Sequence, residues 1–287
     1  MSPWKEFDAV VLERGVPLHK DGTGTWHYSN SNPSVGMTSP AVAISELKLR
    51  PVVASLLWKP KRVDLLLPAT RGRLLDIYPT ELMNTASRSL IYMMQSSIYH
   101  CLSLARWYSD ECTRHSQWLH RFPAKIDKQV FVPSDPYFEF EALVTAVVRG
   151  YDTLRYALWK QWGGGGSIPS SYVRVVDSLV GCPEEVAIRL QSSRDGAYSR
   201  AKEYRDCIQH YVDVGSSSWA MMELLRESVW SVIVRVPDNP EARSSNKWEF
   251  AGNHDALTLG WELCTELFGV TDVALAKGRL SSTKSNG

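Results

Sequence analysis

The sequence lacks the paired or clustered cysteines that staple small secreted domains or hold structural zinc. Its five cysteines are scattered over 287 residues, and no two of them form a C-x-x-C pair. Since disulfides need an oxidising compartment and zinc ligands recur at short spacings, this pattern predicts reduced thiols and no bound metal. We therefore expect a chain that folds around its apolar residues alone.

Long apolar runs and a surplus of one charge are missing as well. No segment reaches the roughly 18 apolar residues of a transmembrane helix, so we expect no membrane partner. The first residues carry Glu6 and Asp8 instead of a basic and then apolar signal sequence, which indicates a cytoplasmic protein. The 32 basic residues nearly balance the 31 acidic ones, which argues against a broad basic surface that grips long nucleic acid.

The motifs of several large enzyme classes are not found. The chain has no Gly-x-Gly-x-x-Gly, Gly-x-Ser-x-Gly or His-Glu-x-x-His sequence, the patterns typical of dinucleotide binding, serine hydrolases and zinc proteases. The four consecutive glycines at 163–166 are not followed by the Lys-Ser or Lys-Thr of a phosphate-binding loop, so we interpret them as a flexible connection. We expect no cofactor.

What the chain does have is apolar residues in helical periodicity. Apolar residues make up 44% of the sequence, and from residue 79 onward they recur at spacings of three and four. Pro136 in a first turn and the glycines after Trp162 set two of the boundaries. The predicted helices span residues 80–118, 135–162, 171–179 and 197–214, and another helix is compatible with the residues after Pro183. Their short connections predict a mainly α fold packed as one antiparallel bundle.

The flanks of this bundle are less regular. We divide the chain into an N-terminal arm with short strands or helices (1–78), the bundle (79–215) and a C-terminal extension (216–287). Residues 1–40 are predicted as loop because they are rich in Gly, Ser, Asn, Pro and Thr, and two or three short strands or helices are predicted over 41–78. The extension is predicted to contain a helix over 219–227, strands over 228–236 and 247–250, a helix from 254 to 268 or beyond, and a frayed tail.

The helix predicted over 197–214 carries residues suited to acid–base chemistry on RNA. The segment AKEYRDCIQHYVDVG places Arg205, Asp206 and His210 together. Histidine ionises near neutral pH and can act as general base or acid, while arginine can hold two phosphate oxygens as negative charge builds. Asp206 lies four residues before His210, on the same helix face, so it can orient the imidazole or hold Arg205. These three residues are the candidate catalytic group.

The Arg205–His210 spacing resembles the Arg-x4-6-His motif of the HEPN superfamily, the higher eukaryote and prokaryote nucleotide-binding domains. A polar residue commonly follows the arginine in that family, as Asp206 does here, and the segment YFEFEALVTAVVRGYDTLRYALW is similar to the family's second helix. The resemblance covers roughly residues 80–215. It implies a HEPN-like bundle, metal-independent endonuclease activity with RNA as substrate, a homodimer that brings two motifs into one cleft, and a toxin or antiphage defence role.

Three residues of the second predicted helix are candidates for a supporting role. Glu141 and Asp152 are eleven residues apart, which places them within about 20° of each other around the helix. Together with Arg149 they can form a polar cluster that positions Arg205. A solvated helix face, or a salt bridge within the bundle, also explains the same three residues and is the more common reason for such a group.

Several alternatives stay open at this point. The Arg-x4-6-His pattern also fits Arg14–His19, in a Gly- and Pro-containing segment unsuited to a helix, and Arg114–His120, at the end of the first predicted helix. Five steps along an ideal helix separate Arg205 from His210 by about 140°, so the pair can equally belong to an ordinary solvent-facing surface. If Arg205 and His210 are not a catalytic pair, two other functions remain. One is a non-catalytic HEPN-like scaffold for a nucleotide, RNA or a regulatory protein partner, and the other is an unrelated helical interaction protein.

Overall fold

A computed structural model describes most of the chain after residue 85 and three short N-terminal segments. The described residues are 9–13, 16–20, 26–28, 86–121, 128–226, 229–242, 244–252 and 254–282. The elements predicted for 41–78, the start of the helix predicted from residue 80 and the last five residues of the tail lie outside this part of the chain.

Helices hold most of the described residues, which confirms the predicted mainly α class. Their bounds are α1 Ala86–Arg121, α2 Asp135–Trp162, α3 Tyr172–Asp177, α4 Glu184–Ser193, α5 Ser199–His210 and α6 Ala256–Ser282. The helix predicted over 135–162 is confirmed as α2, α1 continues slightly past its predicted end at 118, and α3 stops short of 179. Leu143, Val147 and Leu154 of α2 are buried, as its apolar periodicity requires.

The ends of α2 show how local sequence sets a helix boundary. Asp135 places a negative charge in the first turn, where backbone N–H groups lack helical partners, and Pro136 has no N–H that needs one. The helix ends at Trp162 because glycines follow. Gly165 and Gly166 have φ values of 90° and 77°, a backbone conformation that residues with a side chain rarely adopt.

The region predicted as a helix over 197–214 differs at both ends. α4, a π-helical segment at Arg194–Tyr198 and α5 follow one another directly, so helical backbone runs from Glu184 to His210. The helix considered after Pro183 is therefore present, and the predicted end at 214 is wrong. The β-branched Val212 and Val214 follow α5, and their stiff side chains weaken helix formation there.

Two antiparallel sheets accompany the helices. The first contains β1 Ala9–Glu13, β2 Val16–Lys20 and β3 Trp26–Tyr28, in that order. The loop predicted for residues 1–40 is therefore wrong over these strands. Pairing places Ala9 opposite Lys20 and Leu18 opposite Tyr28. Hydrogen bonds between the strands therefore form in a segment for which the local composition predicted a loop.

The second sheet joins β4 Lys128–Phe131, β5 Ala220–Arg226 and β6 Val229–Val234, with β5 in the middle. β6 confirms the strand predicted over 228–236. β5 contradicts the helix predicted over 219–227. That helix was predicted because the Ala, Met, Glu and Leu residues of this segment favour a helix locally. Antiparallel pairing with strands on both sides outweighs that preference.

The rest of the C-terminal extension departs from prediction in two places. Residues 247–250 form no strand. Trp248 is buried there, and the ring of Phe250 packs against Trp219 with centroids 4.5 Å apart, so these aromatic residues serve packing instead of strand pairing. α6 continues to Ser282, and the predicted frayed tail is therefore wrong up to that residue.

The described elements belong to two compact units. The first contains Cys101–Phe140, Val212–Trp261 and the first sheet, and its core includes the buried Tyr108 and Asp255. The second contains Glu141–Tyr211, together with the first part of α1 and most of α6. None of the helices in the described part of the chain has the length and apolar character needed to cross a membrane.

Candidate functional site

α5 has a buried side and a polar side within the second unit. Tyr204 and Cys207 are buried, Arg205 and Asp206 are half-buried, and His210 is exposed. Because the helix is amphipathic, its apolar residues hold it in place while the candidate catalytic residues remain within reach of solvent. A dissolved ligand can therefore approach them.

Arg205 and Asp206 form an ion pair at the centre of this polar side. The Arg205 Nε donates to the Asp206 Oδ1 over 2.7 Å, and the Lys202 Nζ donates to the other carboxylate oxygen. Burial by itself raises the pKa of Asp206, but the hydrogen bonds and charges of Lys202 and Arg205 outweigh it and hold the pKa below its ordinary value. Of the two roles considered for Asp206, it therefore holds Arg205.

Asp152 of α2 lies within the electrostatic range of Arg205. Burial raises the pKa of Asp152, while the positive charges of Arg205, Arg155 and Lys202 and the backbone N–H of Tyr172 act in the opposite direction. The predicted proximity of Asp152 and Arg205 is thus present in the structure. The negative charges of Asp152 and Asp206 thus both act on Arg205, and Asp206 also accepts a hydrogen bond from it.

The other two residues of the predicted supporting cluster lie elsewhere on α2. Glu141 is half-buried, and the eleven residues that separate it from Asp152 rise about 16 Å along the helix axis. One arginine side chain does not span that length, so Glu141 and Asp152 cannot both contact Arg205. Arg149 is exposed, and its carbonyl oxygen accepts the hydroxyl of Thr153.

His210 is the last residue of α5, and its ring is exposed. The ring meets that of Tyr211 edge to face, with centroids 6.1 Å apart. Arg205 and His210 are five positions apart on this helix, so they point about 140° away from each other. Within one α5 helix, the half-buried arginine and the exposed histidine therefore do not share a face.

A cluster of three tyrosines next to this charged group was not found from the sequence. The rings of Tyr151, Tyr172 and Tyr198 lie with centroids 5.0 to 5.3 Å apart. The Tyr151 hydroxyl shares a hydrogen bond of 2.7 Å with Ser193. Burial and the nearby charge of Asp152 raise the pKa of Tyr198 to about 12. The cluster fixes the π-helical segment that carries Tyr198 directly before α5.

The basic residues near Asp152 were also not predicted from the sequence, although the spacing of one of them, Lys202, indicates an ion pair. Lys202 and Asp206 are four residues apart, a spacing that favours an ion pair along a helix. Arg155 gave no such signal, because it is placed by the carbonyl oxygen of Pro169, which accepts from its Nη1 over 2.8 Å. Three cations, Arg155, Lys202 and Arg205, thus act on the carboxylate of Asp152.

Comparisons of the chain with known proteins identify no relative. No protein-family model, curated protein or solved structure matches the chain. Among the residues that the structure describes, no group of three or more His, Cys, Asp and Glu side chains is arranged to hold a metal ion.

Proposed function

We propose that the chain is a metal-independent RNA endonuclease of the HEPN type. The observation that carries the proposal is the placement of an exposed His210 at the end of the same helix that holds the Arg205–Asp206 ion pair. In this proposal the helices of residues 79–215 form a HEPN-like antiparallel bundle. The protein acts in the cytoplasm as a toxin or in antiphage defence.

The proposed chemistry needs only groups of the chain and of RNA. The 2′-oxygen of a ribose attacks the adjacent phosphorus while its proton passes to a base, and the bond from phosphorus to the 5′-oxygen breaks. The leaving 5′-oxygen takes up a proton, and the product strand ends in a cyclic phosphate. An imidazole such as that of His210 can take up or supply these protons near neutral pH. The guanidinium of Arg205 stabilises the negative charge that builds on the phosphate oxygens.

A homodimer explains how the two residues meet one phosphate. Arg205 and His210 of one α5 point about 140° apart, so we place Arg205 of one protomer and His210 of its partner in a shared cleft near the two-fold axis. A two-fold interface presents the same patch twice, and it therefore creates two such cleft sites. Asp206 then acts as a positioning residue, because it holds the guanidinium of Arg205 and does not touch the substrate. Asp152 adds a second negative charge that acts on Arg205.

The direct test is to incubate the purified protein with total RNA in the presence of EDTA. We expect cleavage to continue in EDTA, and the products to end in a cyclic phosphate. DNA stays intact because it lacks the 2′-hydroxyl that acts as nucleophile. Cleavage that requires added Mg²⁺, or equal cleavage of DNA, would contradict this mechanism.

A non-catalytic HEPN-like scaffold is the second candidate function, and one observation favours it. The guanidinium of Arg205 is already paired with Asp206 and lies in the field of Asp152, so much of its charge is balanced without a phosphate. Such a scaffold binds a nucleotide, RNA or a regulatory protein partner and leaves it intact. Saturable RNA binding without cleavage, and without any effect of the substitution His210→Ala, would identify this second function.

A further inference from the structure

One face of α1 displays four polar and aromatic side chains to solvent. Arg88, Tyr92, Gln95 and Tyr99 are exposed, whereas the residues between them are half-buried or buried. Their spacings of four, three and four residues place them within about 60° of one another around the helix, along about 16 Å of its length. We call this surface the tyrosine stripe.

The exposure of its two tyrosines is the first sign of a ligand. Tyr92 and Tyr99 are each 63% exposed, while Tyr108 of the same helix is buried. Two successive turns separate the exposed rings by about 10 Å. The ring of Tyr99 meets His100 edge to face, with centroids 5.3 Å apart, which restricts the orientation of that ring. Two large aromatic rings on one solvent-facing stripe form a stacking platform.

The charge of the helix is the second sign. From Ala86 to Ser109, α1 contains no Asp or Glu, and its basic residues are Arg88, His100 and Arg106. A helix face that carries an arginine, two tyrosines and an amide, on a helix segment without acidic residues, is complementary to a phosphate backbone with accessible bases. In a duplex the base faces are already stacked on each other, so this chemistry selects single strands.

We propose that the tyrosine stripe binds single-stranded nucleic acid. Bases stack on Tyr92 and Tyr99, and Arg88 contacts a backbone phosphate. Stacking does not read the sugar, so RNA and DNA strands both bind, whether or not the chain cleaves RNA. The inference therefore goes beyond the proposed nuclease function and can fail or succeed separately from it.

The test measures the fluorescence anisotropy of a labelled single-stranded DNA of about 12 nucleotides, a length within the usual site size. DNA is used because the proposed nuclease does not cut it. We expect Tyr92→Ala and Tyr99→Ala each to weaken binding about fivefold or more, whereas Tyr92→Phe and Tyr99→Phe, which keep the ring, retain it. Circular dichroism checks that each variant keeps the helical fold.

The chain offers a matched control in Phe138 of α2. This ring is 65% exposed, but Asp135 and Glu139 lie beside it in the sequence, so Phe138→Ala should leave the affinity unchanged. Arg88→Gln should lower the slope of log K against log salt by about 0.7, which corresponds to one lost phosphate contact on a single strand. Unlabelled RNA of the same length should compete, and duplex DNA should compete at least about tenfold less well.

Two results would overturn the proposal. One is equal affinity of wild type, Tyr92→Ala, Tyr99→Ala and Phe138→Ala for the single strand. The other is a change of oligomeric state in the two tyrosine variants with no binding of either single strand, which would assign the stripe to an interface between copies of this chain. Cleavage of RNA by a protein that shows either result would leave the nuclease proposal standing.

Discussion

At the scale of single residues, Arg205 and His210 of the same helix differ in burial and in contacts. Arg205 is held by Asp206, whereas His210 is exposed at the end of α5. The identities of these residues and their shared helix could be predicted from the sequence. The sequence left open whether Asp206 holds Arg205 or orients His210, and the structure shows that its carboxylate accepts from Lys202 and Arg205.

The first prediction concerns the proposed acid–base group. His210→Ala should lower the rate of RNA cleavage roughly 100- to 10,000-fold, because a general acid or base is lost. Its exposed ring contributes little packing, so the free energy of unfolding should change by less than about 0.5 kcal/mol. Cleavage assays and urea denaturation measure the two effects, and Gln209→Ala, exposed on the same helix, is the control. Undiminished cleavage by His210→Ala would remove the mechanism.

The second prediction concerns the fork geometry of Arg205. Arg205→Lys should also abolish cleavage, because a lysine ammonium cannot hold two phosphate oxygens in one plane or keep the same bond to Asp206. Arg200→Lys makes the same chemical change on the same helix and should leave cleavage intact. Single-turnover assays compare the two variants. If both retained full activity, cleavage would not depend on the fork geometry of Arg205.

The third prediction follows from the depressed pKa of Asp206. Since its pKa is lower in the folded chain than the usual value of about 3.9, Asp206 stabilises the fold above that pH and loses this effect as the pH falls. Asp206→Asn should lower the free energy of unfolding at neutral pH by no more than about 1 kcal/mol, because the pair is partly exposed. Urea denaturation should show this difference disappearing in acid. A difference that grows in acid would contradict the assignment.

At the scale of elements, helices whose ends are marked by local residues were predicted best. α2 begins at Asp135 and ends before Gly163 because a proline in its first turn and a glycine run act within a few residues. β5 was mistaken for a helix because its residues favour one, and its partners β4 and β6 decide otherwise. The direct join of α4 and α5 depends on the π-helical segment, for which the sequence carries no simple signal.

The fourth prediction tests a hydrogen-bond network that ties α1, β6 and the start of α6 together. The buried Tyr108 hydroxyl donates to Asp255, whose Oδ1 also accepts the Val234 N–H over 3.0 Å and whose Oδ2 accepts the Thr258 N–H over 3.0 Å. Tyr108→Phe removes one donor from a buried carboxylate, so it should cost about 1.5 to 3 kcal/mol of stability.

Urea denaturation with circular dichroism measures this cost. Tyr99→Phe removes the same hydroxyl from an exposed position of the same helix and should change stability by less than about 0.5 kcal/mol. Equal stability of the two variants would show that the Tyr108 hydroxyl contributes nothing net to the network.

At the scale of the whole molecule, the fifth prediction concerns the homodimer. Light scattering at high micromolar concentration should report twice the 32.4 kDa mass of one chain. If Arg205 and His210 of different protomers form each site, mixing the inactive Arg205→Ala and His210→Ala proteins should restore roughly a quarter of wild-type activity. Half of the randomly formed dimers are then hybrids, and each hybrid has one intact site. No recovery in proven hybrids, or a monomer in solution, would contradict the shared site.

The sequence by itself determined the mainly α class, the bounds of α2, the course of α1 and the residues that α5 displays. Each of these depends on periodicity, caps and breakers that act over a few neighbouring positions. The tertiary structure decided the pairing of β5, the strands within residues 9–28, the tyrosine cluster and the place of Arg155 near Asp152. These features depend on burial and hydrogen bonding between residues distant in the chain, which local propensity does not contain.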